Sequence, residues 1–134
     1  MIFLDTGHLI AVFSEDDALH DRSLSWAAKI REPLVSTEHV LWECVNFLSK
    51  GRNRSTAQAI AEFLLDPDFC ELIHATPALL EAGLRLHRSR PDKDWSLTDC
   101  ISFHVMLERD ITRALAHDEH FEQAGFVALL RQDP

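Results

Sequence analysis

The sequence predicts an α/β fold in three layers, a short central parallel sheet of four to five strands with helices on both faces. Two observations carry that expectation. Short apolar runs, at residues 2–4 and 114–116 among others, alternate with segments whose apolar residues recur at helical spacing. The chain has 134 residues and 46% hydrophobic content, enough to bury both faces of one sheet in a single domain, 1–134. Strands separated by helices pair in parallel, because each crossover returns the chain to the edge where the previous strand began.

The elements follow in order. Ile2, Phe3 and Leu4 read as a buried strand ending at Asp5, with Thr6-Gly7 breaking the pattern. Residues 8–13 suggest a short helix. Residues 17–30 suggest a second, with Leu24, Ala27 and Ala28 on its apolar side and Pro33 beyond its end. A strand is expected at 33–36. Ser36, Thr37 and Glu38 offer a choice of caps to a third helix, in which Val40, Leu41, Cys44, Phe47 and Leu48 form the apolar stripe. Gly51 closes it. Ser55 opens a fourth helix running to about Leu65, and Asp66-Pro67-Asp68 makes a turn before a strand at 69–74. Thr76 caps a helix with Pro77 at its first position, reaching about Arg88. After a charged loop at 90–95, Ser96 and Asp99 resemble a capping box with Asp in place of the usual Glu or Gln. That helix extends to about Glu108 and holds Asp99 in its first turn. A strand at 114–116 ends near Asp118, a turn or short helix covers 121–125, and a last strand is expected at 127–130.

Composition narrows the function. With 22 acidic and 13 basic residues the formal charge is −9, the wrong sign for a protein that grips nucleic acid with a broad basic surface. It is compatible with a nuclease whose site is a group of carboxylates, because bound divalent cations reverse the local sign. No apolar run approaches the roughly 18 residues a membrane span needs, and the first residues lack a basic region followed by a cleavage site. No membrane association and a cytoplasmic location are expected. Cys44, Cys70 and Cys100 are odd in number and widely spaced in apolar stretches, which suits buried thiols.

Four carboxylates stand out. In an open parallel sheet ligands bind beyond the C-terminal strand ends, and Asp5 and Asp118 both follow strands. Asp99, at a helix start, can reach the same edge. Glu43 shares a side of its helix with Val40 and Phe47, where an unpaired carboxylate is costly unless it finds an arginine or a metal ion. Four acids drawn together would raise one another's pKa values, whereas one or two Mg²⁺ or Mn²⁺ ions make the cluster favourable. Such a site suits phosphodiester hydrolysis, with metals about 3.5–4 Å apart activating water and steadying both the attacking and leaving oxygens. Each residue also has a simpler reading: Asp5 as an Asx turn, Asp99 as a helix-start charge, Asp118 as a turn residue, Glu43 as a solvated helix position. His117 and His120 form an H-x-x-H beside Asp118, but nothing completes a zinc site, and His120 reads better as a hydrogen-bonding residue. Asp92 and Asp94 lie close enough to Asp99 to be auxiliary ligands, though a solvated loop is the simpler account. Two basic clusters, Lys50, Arg52 and Arg54, then Arg85, Arg88, Arg90 and Lys93, are candidates to guide a phosphodiester strand toward the metals, though such clusters are more often merely solvated.

The segments FLDTGHLIAVF, STEHVLWECVNFL, DKDWSLTDCISFHVM and ALAHDEHFEQAGF resemble, in order, the signature blocks of the PIN domain, and in particular the small VapC-type toxins of bacterial toxin–antitoxin pairs. Together they span nearly the whole chain. The resemblance implies a PIN-like fold, Mg²⁺ or Mn²⁺ dependence, RNA as substrate, a homodimer, and a small antitoxin as partner. It carries the family's catalytic, metal-holding carboxylates onto Asp5, Glu43, Asp99 and Asp118, and a hydroxyl position onto Thr6. One departure is Ala116, two positions before the last aspartate, where the family often has Thr or Ser. Other readings are a housekeeping RNA-processing nuclease without antitoxin and a non-catalytic acidic domain binding metal or a partner. A flavodoxin-like phosphoacceptor is set aside, since Asp5 stands alone and no lysine follows position 93.

Overall fold

A computed structural model describes all 134 residues. Five strands, β1 (Ile2–Leu4), β2 (Leu34–Thr37), β3 (Glu71–Ile73), β4 (Arg113–Leu115) and β5 (Val127–Ala128), form one sheet in the order β3-β2-β1-β4-β5. Every pairing is parallel: Phe3 lies opposite Val35 on one side and Ala114 on the other. Seven helices connect them: α1 (Thr6–Phe13), α2 (His20–Lys29), α3 (Glu38–Phe47), α4 (Asn53–Leu65), α5 (Pro77–Ser89), α6 (Leu97–Glu108) and α7 (Glu119–Gln123). The chain leaves β1 toward β2 and leaves β4 toward β5, in opposite directions. Right-handed crossovers then put α1–α4 on one face and α5–α7 on the other. The strand order reverses between β1 and β4, which is where such sheets open a crevice at their C-terminal edge.

The expected caps form. The Thr37 and Thr76 hydroxyls accept the Val40 and Leu79 N–H groups at 3.2 and 3.1 Å, and Ser96 and Asp99 make the reciprocal capping box. The core runs through Phe3, Leu4, Ile60, Phe103, Leu115 and Phe121, all buried on the sheet. Trp95 belongs to it, edge-on to Phe103 at 5.1 Å with its indole N–H on Gln123 Oε1.

Several expectations need correcting. Thr6-Gly7 does not break the chain but opens α1 directly after Asp5; Gly7 faces open space, so nothing there resists helix. The second helix starts at His20 rather than 17, because Asp17 Oδ1 accepts the Leu19 N–H and holds a turn. The fourth starts at Asn53, with Ser55 bonding back to the Arg52 carbonyl instead of capping forward. The core stripe of α3 is Val40, Cys44 and Leu48, one residue per turn, which leaves Phe47 72% exposed. The last strand stops at Ala128, and a 3₁₀ turn, η1 (Leu129–Arg131), follows. Leu129 and Leu130 are both buried, and adjacent residues of a strand cannot face the same side, so the turn lets both into the core.

Candidate functional site

The crevice at the strand-order reversal is a cleft of about 630 Å³, and Asp5, Glu43, Asp99 and Asp118 all line it. Asp5 reaches it because β1 ends there: its N–H donates to the Leu115 carbonyl, and its carbonyl receives Leu9 N–H inside α1. It holds the N-cap position of α1 without using its side chain as a cap, which argues against the Asx-turn reading. Glu43 arrives from α3, half-buried, and enters none of the chain's ion pairs. Asp99 is fixed by the capping box, its Oδ2 accepting the Ser96 N–H at 3.1 Å. Asp118 caps α7, its Oδ1 accepting the His120 N–H at 3.0 Å.

His120 joins the last two. Its Nδ1 lies 3.0 Å from Asp99 Oδ2 and 3.3 Å from Asp118 Oδ1, so it is the hydrogen-bonding residue the sequence suggested. In this arrangement no three acids, histidines or cysteines close into a ready-made chelate. Repulsion among uncompensated carboxylates and the pull of His120 on two of them both favour that spacing.

Electrostatics ties the four together. Asp5 is only 8% exposed, and its carboxyl is pushed up to about 8, chiefly by burial, then by the charge of Asp99, with Glu43 and Asp118 adding to it. Only the neighbouring Thr6 amide works the other way. Burial also pushes the Cys44 thiol up to about 12, making it inert. Thr6 Oγ1 is buried without a hydrogen-bond partner. An all-oxygen donor set, a carboxyl disfavoured in its charged form for want of a cation, and an orphaned hydroxyl together fit a hard divalent ion.

Of the two loop acids weighed beside Asp99, Asp94 lines the cleft, whereas Asp92 turns to Arg90 in a two-bonded pair. Glu119 and Arg131 line it too; Arg131 had no signal, since the 3₁₀ turn that carries it lies where a strand was expected. Ala116 is fully buried, its carbonyl accepting the Leu130 N–H at 3.1 Å. The family's hydroxyl is therefore replaced here by packing.

The family model described as PIN domain matches residues 2–127. The chain belongs to the PIN-domain family. Over 129 residues it is 33% identical to the 23S rRNA-specific endonuclease VapC20 of Mycobacterium tuberculosis, in two strains, covering 95% of this chain and 96% of that protein. The crystal structure of that organism's VapC20, described as a Sarcin-Ricin loop cleaving toxin, matches with a TM-score of 0.90 at 28% identity, covering 96% of this chain and 98% of the other. VapBC2 from Rickettsia felis, solved with a DNA fragment from their promoter, matches at TM-score 0.66 and 15% identity over 95% and 96% of the two chains, a likeness of fold. The three-layer architecture read from the sequence is thus the PIN fold, and the VapC-type endonucleases are its relatives within it. No helix is long and apolar enough to cross a membrane.

Proposed function

We propose that this PIN domain is a metal-dependent endoribonuclease, the toxin of a toxin–antitoxin pair, with Asp5, Glu43, Asp99 and Asp118 holding one or two Mg²⁺ or Mn²⁺ ions. The observation that carries the reading is the meeting of four carboxylates, from four separate elements, in one cleft at the sheet's switch point, where burial, reinforced by the other three charges, pushes Asp5 toward its neutral form. When bound, the cations lower the pKa of a water and neutralise charge on the attacked phosphodiester.

The chain's own residues prepare for this. Asp5 and Thr6 offer buried oxygens from the rigid β1–α1 junction. Ser96 fixes the rotamer of Asp99 through the capping box, and His120 Nδ1 orients Asp99 and Asp118 toward each other. Glu43 closes the wall from α3. The proposed substrate class is structured ribosomal RNA, supported by the relative's specificity, in the cytoplasm where such RNA lies. A small antitoxin and a homodimer complete the proposal; the exposed Trp42 and Phe47 on α3 provide an apolar face for protein contact.

The test is incubation of purified chain with ribosomal RNA in Mn²⁺, in Mg²⁺ and in EDTA, with Asp99→Asn in parallel. Cleavage that needs metal and disappears in the variant is the expected result. A folded chain that binds Mn²⁺ and leaves the RNA intact would favour the non-catalytic reading, to which the buried Ala116 lends its one piece of support. Expression without a partner should arrest growth, and co-expression of the antitoxin should relieve it.

A further inference from the structure

Among the thirteen residues lining the acidic cleft, Arg131 is the only lysine or arginine. Its place is built from both sides. Leu129 and Leu130 anchor the 3₁₀ turn in the core, and the Leu130 N–H bonds the Ala116 carbonyl on the segment leading to Asp118. From α2, Arg22 Nη1 donates to the Leu130 and Gln132 carbonyls at 3.2 and 3.3 Å, and Trp26 Nε1 donates to the Gln132 carbonyl at 3.2 Å. The guanidinium plane is fixed as well: Nη1 donates to the His117 carbonyl at 3.2 Å and Nε faces the Glu122 carboxylate. Nη2 makes no bond within the chain, and the side chain is 38% exposed.

We propose that Arg131 binds a phosphate of the RNA strand beside the one being cut, positioning the substrate over the four carboxylates. The inference rests on the nuclease reading above. Metal ions balance the carboxylates and the scissile phosphate, but the next phosphates along the strand still meet a chain of charge −9. A guanidinium held in one plane with a spare N–H edge suits phosphate better than a mobile ammonium. The pairing with Glu122 does not remove it from use, because half-exposed ion pairs contribute little and a phosphate can compete. The other basic clusters leave the task to it: none of Lys50, Arg52, Arg54, Arg85, Arg88, Arg90 and Lys93 lines the cleft, and Arg90 is held by Asp92.

The experiment measures kcat and KM for ribosomal RNA in Mn²⁺ over a series of salt concentrations, for the parent chain, Arg131→Gln, Arg131→Lys and the control Lys29→Gln, an exposed lysine at the end of α2, with melting temperatures alongside. Arg131→Gln should raise KM about tenfold with kcat little changed, and reduce the salt slope of log(kcat/KM) by about 0.7, the share of one phosphate on a single strand. Arg131→Lys should recover the salt slope and part of KM, and Lys29→Gln should behave as parent. An unchanged KM in Arg131→Gln, or a loss shared equally by Gln and Lys with a lowered melting temperature, would overturn the proposal while leaving the nuclease standing. A parent chain that cleaves no RNA in Mn²⁺ would remove the nuclease reading and this proposal with it.

Discussion

The two walls of the cleft are built on opposite principles. The outer wall, Asp99, Asp118 and His120, satisfies itself: each carboxylate accepts a backbone N–H, and His120 Nδ1 lies against both. The inner wall, from β1 and α1, does not. Asp5 has no cationic partner and Thr6 Oγ1 has no hydrogen-bond partner. Unpaired buried polar groups destabilise a fold, so under the proposed function the inner wall is where a bound cation would have most to offer. The outer wall holds its acids ready at little cost.

The largest effect that tests this contrast is on cleavage. Asp5→Asn should lower it by about a hundredfold or more, and Asp118→Asn, whose carboxylate is 47% exposed, by only about tenfold. Equal losses would mean that the walls share the metal evenly. The same Asp5→Asn chain should melt higher than the parent at pH 9 in EDTA. Asp5 keeps its proton up to about 8 when folded but loses it near 3.8 when unfolded, so its contribution to stability falls as pH rises between those values. Asparagine has no such penalty, and saturating Mn²⁺ should narrow the gap by binding the folded parent.

Next comes acid sensitivity. Burial lowers His8 from 6.5 to about 4, so the unfolded chain binds the extra proton first. Stability is therefore fully present above pH 6.5 and lost as pH falls, amounting to about 3 kcal/mol by pH 4. Urea titrations at pH 7 and pH 4.5 should show a smaller acid loss in His8→Leu than in the parent; an identical loss would acquit His8. The smallest effect belongs to the outer wall: Ser96→Ala removes one half of the capping box and should cost about 1 kcal/mol in thermal unfolding. If it also lowers cleavage as far as Asp118→Asn does, the box positions Asp99 for catalysis as well as starting α6.

What the sequence disclosed follows the same division. Caps, strand ends and turns depend on neighbours a few residues away, so Thr37, Thr76 and the Ser96–Asp99 box were legible, and with them the order of strands and helices. The four carboxylates were legible from strand-end placement together with the resemblance to PIN domains. What stayed hidden depended on rotation or distant packing. Periodicity placed Phe47 with the core, yet the stripe of α3 is set by contacts with other elements, and Phe47 falls outside it. Two consecutive leucines looked like a strand until the need to bury both turned the chain and brought Arg131 to the cleft. The lack of partners on the inner wall was equally invisible, because an unmade hydrogen bond leaves no trace in a string of letters.

The sheet order has a consequence for the life of the protein in the cell. β1 is the first of the five strands to be synthesised, yet its neighbour on one side is β4, through the pairing of Phe3 with Ala114. Asp5 and Asp118 therefore meet only after every element from β1 to β4 has been translated, and contacts of such long sequence separation form late. The carboxylate cleft is thus among the last features of the fold to be completed, and a nascent chain that has not yet reached β4 carries no cutting edge.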